Sequence, residues 1–160
     1  MKPGLLGFFR FHEHGRRTRA AIAAVCMSLT LSACAGTPKP AEVCLELEAS
    51  ENLNRFDGQP HVVVLLFFPL QNVSAFNQTD PVDLLNGVQP PGSTGDAWEV
   101  TLLPGETRNL EEKLPADTGF VGLVADFYRG PSRTVVEASC GSLGLGGTKI
   151  VLSSNDLQVE

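Results

Sequence analysis

Histidine is almost absent from this chain, and its scarcity removes most routes to acid–base catalysis. Only 3 histidines occur in 160 residues, and two of them, His12 and His14, stand in the basic N-terminal stretch. A Ser–His–Asp site would have to centre on His61, and no serine stands in a nucleophile-elbow context. His61 immediately precedes an apolar run, which reads as a surface or strand-edge position. Metal ligation needs clustered His, Cys or carboxylate side chains at ligand spacing, and no such spacing is present. The glycine-rich stretch GSLGLGG at 141–147 is followed by no Lys-Ser or Lys-Thr and opens no helix. It reads as a flexible hairpin connection and not as a phosphate loop. The sequence assigns no catalytic residue, no metal and no cofactor.

An apolar run long enough to cross a bilayer as a helix is missing as well. The uncharged stretch from Ala20 to Ala33 has 14 residues. As a helix it would rise only about 21 Å, against a hydrocarbon core of about 30 Å. Ahead of it, Met1 to Arg19 carries Lys2, Arg10, Arg16, Arg17 and Arg19 against the single acid Glu13. A basic segment, a short apolar segment and small residues in succession make an export signal, residues 1–33. Leu31-Ser32-Ala33-Cys34 matches the bacterial lipobox. That resemblance implies cleavage before Cys34, which becomes the mature N-terminus carrying a diacylglycerol thioether and an acyl chain. Position two would be Ala35, not the aspartate associated with inner-membrane retention, so the same resemblance places the anchor in the outer membrane, facing the periplasm.

Positive charge is scarce once the signal is set aside. Removing its 5 basic residues and 1 acidic residue from the totals of 12 and 18 leaves 7 and 17, a net charge near −10. That excludes general attraction to nucleic acid or to anionic lipid. About 127 residues remain, enough for one domain with its own core. Residues 34–42 read as a lipidated tether and 43–160 as the periplasmic domain. The seven residues Ala35 to Ala41 reach roughly 25 Å when extended, which keeps the domain close to its membrane. Of 4 cysteines, Cys26 leaves with the signal and Cys34 takes the lipid, so Cys44 and Cys140 meet an oxidising space. A bridge closing so long a loop would stabilise by about 4–5 kcal/mol in the chain-entropy view. Strand alternation opposes it, placing Cys44 on the face of Glu46 and Glu48 but Cys140 on that of Val136 and Ala138. Both cysteines stand at strand ends, where alternation binds least, so a bridge and two separate thiols both stay open.

Short, period-two apolar segments separated by Gly, Pro, Asn and Asp dominate the domain. Strands are predicted at Val43–Ala49, His61–Leu70, Trp98–Leu102, Arg108–Leu114, Gly119–Tyr128, Arg133–Ser139, Thr148–Leu152 and Leu157–Val159. This is the pattern of an all-β, antiparallel two-sheet β-sandwich of about eight strands, transthyretin-like in class. One short helix is predicted between strands two and three, over Asp80–Gly87, from an N-cap aspartate, a proline at the first helical position and a glycine stop. The remainder of that connection, Gly87–Asp96, reads as a mobile loop.

The connection between strands one and two, SENLNRFDGQP at 50–60, is long for a hairpin. It sets Leu53 and Phe56 among polar groups, and loops on rigid sheets carry much of protein recognition. The candidate partner-binding residues are Asn52, Leu53, Asn54, Arg55, Phe56, Asp57 and Gly58. The competing reading folds Leu53 and Phe56 back onto the core edge.

Several motifs resemble one family. Ala49, Ser50, Asn52 and Asn54 are followed by Gly58 and Pro60, the valines 62–64, and Ala75-Phe76. Then come Leu103-Pro104-Gly105-Glu106 and, in strand five, Gly122, Ala125 and Phe127. In this order and spacing the chain, from Cys34 onward, resembles the type VI secretion lipoproteins of the TssJ (VasD/SciN) family. Departures are Arg55 for a proline, Gln59 for an arginine, and Gly130-Pro131-Ser132-Arg133 where a Trp-Arg pair is expected. The resemblance implies no enzyme but an outer-membrane lipoprotein of the type VI secretion membrane complex. It would tether the periplasmic C-terminal domain of a TssM-like inner-membrane protein through the first inter-strand loop. A transthyretin-like periplasmic lipoprotein that carries or senses a small ligand is the alternative. The anchor is directly testable: Cys34→Ser should abolish metabolic fatty-acid labelling and release the protein from membrane fractions. A labelled, membrane-bound serine variant would refute it.

Overall fold

The computed structural model describes residues 39–140 and 147–160; the expected signal peptide (1–33), Cys34 and most of the glycine-rich 141–147 stretch lie outside them. Eight strands and two short helices follow one another among the described residues. They are β1 (Ala41–Ala49), β2 (Val63–Leu70), α1 (Ser74–Gln78), α2 (Pro81–Leu85), β3 (Trp98–Leu102), β4 (Thr107–Leu114), β5 (Phe120–Ala125), β6 (Ser132–Glu137), β7 (Thr148–Leu152) and β8 (Leu157–Val159). None of the helices is long and apolar enough to cross a membrane. The strands form two sheets ordered β4-β1-β7-β8 and β3-β2-β5-β6. Alternation drives the packing: Val43, Leu45, Leu47 and Ala49 of β1 point inward against Val63, Leu65 and Phe67 of β2 and Val121, Leu123 and Ala125 of β5. Burying each large side chain contributes about 1.5–3 kcal/mol.

One pairing departs from the antiparallel expectation. β1 runs parallel to β7, with Leu45 opposite Thr148 and Leu47 opposite Ile150. The hairpin reading of 141–147 falls almost wholly outside the described residues, but β6 and β7 belong to different sheets, and β7 starts opposite Leu45 and runs the same way as β1. The segment that leaves β6 is tied to β1. Ala138 bends the chain out of β6, the Cys44 amide donates to the Ser139 carbonyl at 3.3 Å, and Cys44 and Cys140 are joined by a disulfide. Alternation had set the two thiols on incompatible faces. It does not apply to Cys140, because the strand ends at Glu137.

The outer face of the second sheet is covered, not solvated. Phe68, Leu70 and Val124 face outward into a second cluster with Phe76 of α1 and Leu84 of α2. This explains why β2 reads as an unbroken apolar run: both of its faces are buried toward its C-terminal half. The predicted helix is present as α2, with the Asp80 carboxylate accepting from the Val82 amide at 2.8 Å and Pro81 at its first position. α1 was not anticipated. Five residues are too few to hold a helix alone, and tertiary contacts supply what propensity does not. Phe76 inserts over Gly122, where an added Cβ would lie 2.6 Å from its ring. Arg133 donates to the carbonyls of Thr79 at 2.8 Å and Asn77 at 2.7 Å, satisfying groups at the C-terminal end of α1.

The stretch Gly87–Asp96 is likewise held instead of mobile. Gln71 donates to Gly92 and Thr94 donates to Pro69, each at 2.9 Å, and the Thr94 hydroxyl meets that of Thr118 at 2.6 Å. Two stability outcomes follow. Gly122→Ala should force Phe76 off its seat and cost about 1–3 kcal/mol, lowering Tm by several degrees in calorimetry; an unchanged Tm would mean the ring has another place to go. Replacing Cys44 and Cys140 together by alanine should cost about 2–5 kcal/mol by the same measurement.

Candidate functional site

Strand directions converge four connections on one end of the sandwich: 50–62, 103–106, 126–131 and 153–156. Ala41, where the chain enters the domain, lies at the opposite end, because β1 runs the full height between them. Nine residues of strand separate the two ends by roughly 26 Å. Backbone hydrogen bonds knit three of the four connections together. Gly105 donates to Ser50 at 3.2 Å, Ser50 to Leu152 at 2.8 Å, and Arg55 to Ser154 at 3.3 Å.

The stretch 50–62 is not an open loop. A turn brings the Leu53 amide to the Ser50 carbonyl at 2.9 Å, and the His61 amide closes the base on the Leu53 carbonyl at 3.0 Å. Leu53 is fully buried, at 0% exposure, in the main core. The expectation that it offers apolar surface to a partner is corrected: a leucine beside an open core edge gains more by completing that core. Asn54, 8% exposed, is the joint of the site. Its Nδ2 donates to the Val62 carbonyl at 3.1 Å, and its Oδ1 accepts from the Tyr128 amide at 2.7 Å. It therefore ties the first connection to the β5–β6 connection. Its backbone sits at φ 45°, a left-handed conformation that asparagine tolerates better than most residues. Leaving its buried partners unpaired would cost about 1–3 kcal/mol each.

Beyond Asn54 the chain makes a miniature hairpin. Phe56 and Gln59 exchange amide–carbonyl hydrogen bonds at 3.1 and 3.0 Å around Asp57-Gly58, which take φ of 50° and 77°. Asp-Gly with both φ positive is the favoured two-residue turn of β-hairpins. The signal was present in the sequence but was masked by reading 50–60 as a single loop. The hairpin presents Phe56 to two other rings, His61 at 3.7 Å and Tyr128 at 4.5 Å between centroids, with interplanar angles of 17° and 18°. Two nearly parallel rings that close cannot share one face, so Phe56 lies between them. His61 was expected as a surface or strand-edge residue, and Tyr128 as the end of a strand. Both belong to the site, which two separated connections assemble.

Of the remaining candidates, Asn52, Arg55, Asp57 and Gly58 are exposed and Phe56 is half-buried. Arg55 Nη1 donates to Asn52 Oδ1 at 3.3 Å, and the Asn52 amide donates to the Ser50 hydroxyl at 3.2 Å, so the exposed polar groups are mutually ordered. Two neighbouring acids are held ionised. The Leu103 amide, with Arg108 beside it, keeps the Glu106 carboxyl below the ordinary range. The Ser132 hydroxyl and the Leu157 amide do the same for Asp156. No group of three or more His, Cys, Asp or Glu able to hold a metal ion occurs among the described residues. The surface is an ordered aromatic and polar platform, suited to docking.

The family model described as type VI secretion lipoprotein, VasD, EvfM, TssJ, matches residues 41–138. Among solved structures the chain is similar to the type VI secretion lipoprotein TssJ1 from Pseudomonas aeruginosa. That match has 27% identity and a TM-score of 0.63, and covers 76% of this chain and 95% of that one. It is also similar to a chain of a type VI membrane complex, with 23% identity, a TM-score of 0.64, and coverage of 75% and 98%. A third match is a chain in a structure described as the type VI secretion protein TssM C-terminal domain from EAEC. Identity there is 21%, the TM-score 0.62, and the coverage 75% and 98%. These last two speak for the fold alone. No curated protein matches the chain. With β1 through β6 inside the matched span, more than half of the sequence, the chain belongs to the type VI secretion lipoprotein family of VasD, EvfM and TssJ.

Proposed function

We propose that the protein is the outer-membrane lipoprotein of a type VI secretion membrane complex, anchored through lipid on Cys34. Its loop end docks the periplasmic domain of a TssM-like inner-membrane protein. The role is mechanical tethering, not catalysis. The observation that carries this reading is the opposition of the two ends. The chain enters at Ala41, and the ordered surface of Asn52, Arg55, Phe56, Asp57 and Gly58 stands a full strand length away. A domain held at the membrane by its first strand thus presents that surface toward the periplasm. Similarity to chains in a type VI membrane complex and in a structure of a TssM C-terminal domain supports the choice of partner.

The geometry suits a tether under load. β1 is an interior strand, antiparallel to β4 on one edge and parallel to β7 on the other. Tension applied along it shears both ladders at once instead of peeling them bond by bond. The Cys44–Cys140 bridge adds a covalent tie near the point of entry.

Two substitutions in the full-length, detergent-solubilised lipoprotein separate docking from folding. Arg55→Glu should weaken binding to the purified TssM-like periplasmic domain about tenfold or more, by a reversed interface charge, while leaving Tm unchanged. Leu53→Ala should lose about 2–5 kcal/mol of stability as a core cavity opens. Unaltered affinity in Arg55→Glu would overturn the docking role of this end.

A further inference from the structure

Tyr128 has one covered face and one free face. One side of its ring lies on Phe56 at 4.5 Å, yet the residue as a whole is 68% exposed. Aromatic side chains so exposed are usually free to reorient; this one is held from three directions. Its amide is fixed by the buried Asn54 at 2.7 Å. Phe127, immediately before it, is buried in the core. The Gly130 amide closes the turn on the Phe127 carbonyl at 2.9 Å. Phe56 has no free face to offer, since His61 covers its other side. The stack therefore serves to hold the Tyr128 ring in place, with its free π-face directed away from Phe56.

The charge at this end of the sandwich has one sign in excess. The four connections at this end carry Glu51, Asp57, Glu106, Asp126 and Asp156 against Arg55 and Arg129. Arg108 of β4 pairs with Glu106, whereas Arg55 hydrogen-bonds the neutral Asn52 and keeps its charge; with these three arginines set against the five acids, the acids remain in excess by two. A ring face carries the negative end of a quadrupole, and a net negative charge at this end of the sandwich adds to its attraction for a cation. The site stands at the end of the sandwich remote from Ala41, which disfavours a lipid headgroup and favours a protein.

We infer that the free face of Tyr128 receives a cationic side chain of the docked partner, a stacked guanidinium, so that the interface extends from the β1–β2 connection onto the β5–β6 connection. This rests on the docking role proposed above and adds its chemistry: one guanidinium of the partner, read by a pre-ordered aromatic, at a position separate from the one that meets Arg55. A guanidinium fits better than an ammonium because it is planar and more weakly hydrated, and so stacks on a ring at lower desolvation cost.

Affinity of the full-length lipoprotein in detergent for the purified TssM-like periplasmic domain, measured at low and high salt, tests this. Tyr128→Phe keeps the π-face and should bind within about twofold of the parent protein. Tyr128→Leu keeps apolar area but no quadrupole and should bind about 3- to 30-fold more weakly, with a flatter salt dependence. Both should keep the parent Tm, because the side chain is exposed. If Tyr128→Leu binds like the parent while Arg55→Glu does not, the inference falls and the docking role stands. If neither substitution matters, the docking role itself falls. If Tyr128→Phe is as weak as Tyr128→Leu, the contact is made by the hydroxyl, and the stacked cation is refuted.

Discussion

The hydrogen-bonded ladders on both edges of β1 are what the rest of the molecule depends on. From Ala41 to Glu48 the strand is paired residue by residue with β4, and from Leu45 to Ala49 also with β7. Its inward side chains belong to the main core. Its outward side chains include Glu48, which meets Lys149 at 2.7 Å, and Cys44, which is bonded to Cys140 in the segment that follows β6. Everything at the loop end takes its position from where this strand stops, and everything at the other end from where it starts. A rigid interior strand therefore converts sequence distance into a fixed spatial separation, which no flexible linker of the same length would do.

At the loop end a single buried amide replaces what a sheet would otherwise supply. Connections at the end of a sandwich have no neighbouring strand to hold them, and their polar groups would ordinarily face water. Asn54 satisfies the Val62 carbonyl and the Tyr128 amide from within the interior. The ring stack then grows outward from that joint. Burying an amide is costly unless its hydrogen bonds are made, and here they are made to two different connections. The same expenditure that fixes the first connection therefore orders the other. The surface exists because the two are coupled.

The helical layer shows a similar economy. α1 and α2 have five residues each, and neither would persist in water alone. They stay because Phe76 fills the space that Gly122 leaves empty and because Arg133 satisfies backbone carbonyls at the end of α1. Arg133 stands in the segment that departs from the pattern of the resembling family. Its place is structural: it clamps the long β2–β3 connection to the edge of the second sheet. Edge strand β4, by contrast, is lined with exposed Arg108, Glu111, Glu112 and Lys113, charges that discourage pairing with another chain.

Alternation, turn residues and helix signals in the sequence by themselves determined the eight strands, their approximate limits and the two-sheet class, as well as α2 and its cap. Those features depend on neighbours a few residues away, and local periodicity records them directly. The family could be read as well, because its motifs lie along the chain in order. Other features depend on contacts between distant segments. The parallel seat of β7 and the Cys44–Cys140 bridge follow from β6 and β7 lying in different sheets, which no local pattern encodes. α1 is held by Gly122 and Arg133, far along the chain. Leu53 and Asn54 read as loop residues until the core edge and Tyr128 are in place to receive them. Tyr128 itself, 74 residues beyond Asn54, joined the site only in three dimensions, because side-chain packing and buried hydrogen bonds choose their partners by proximity in space.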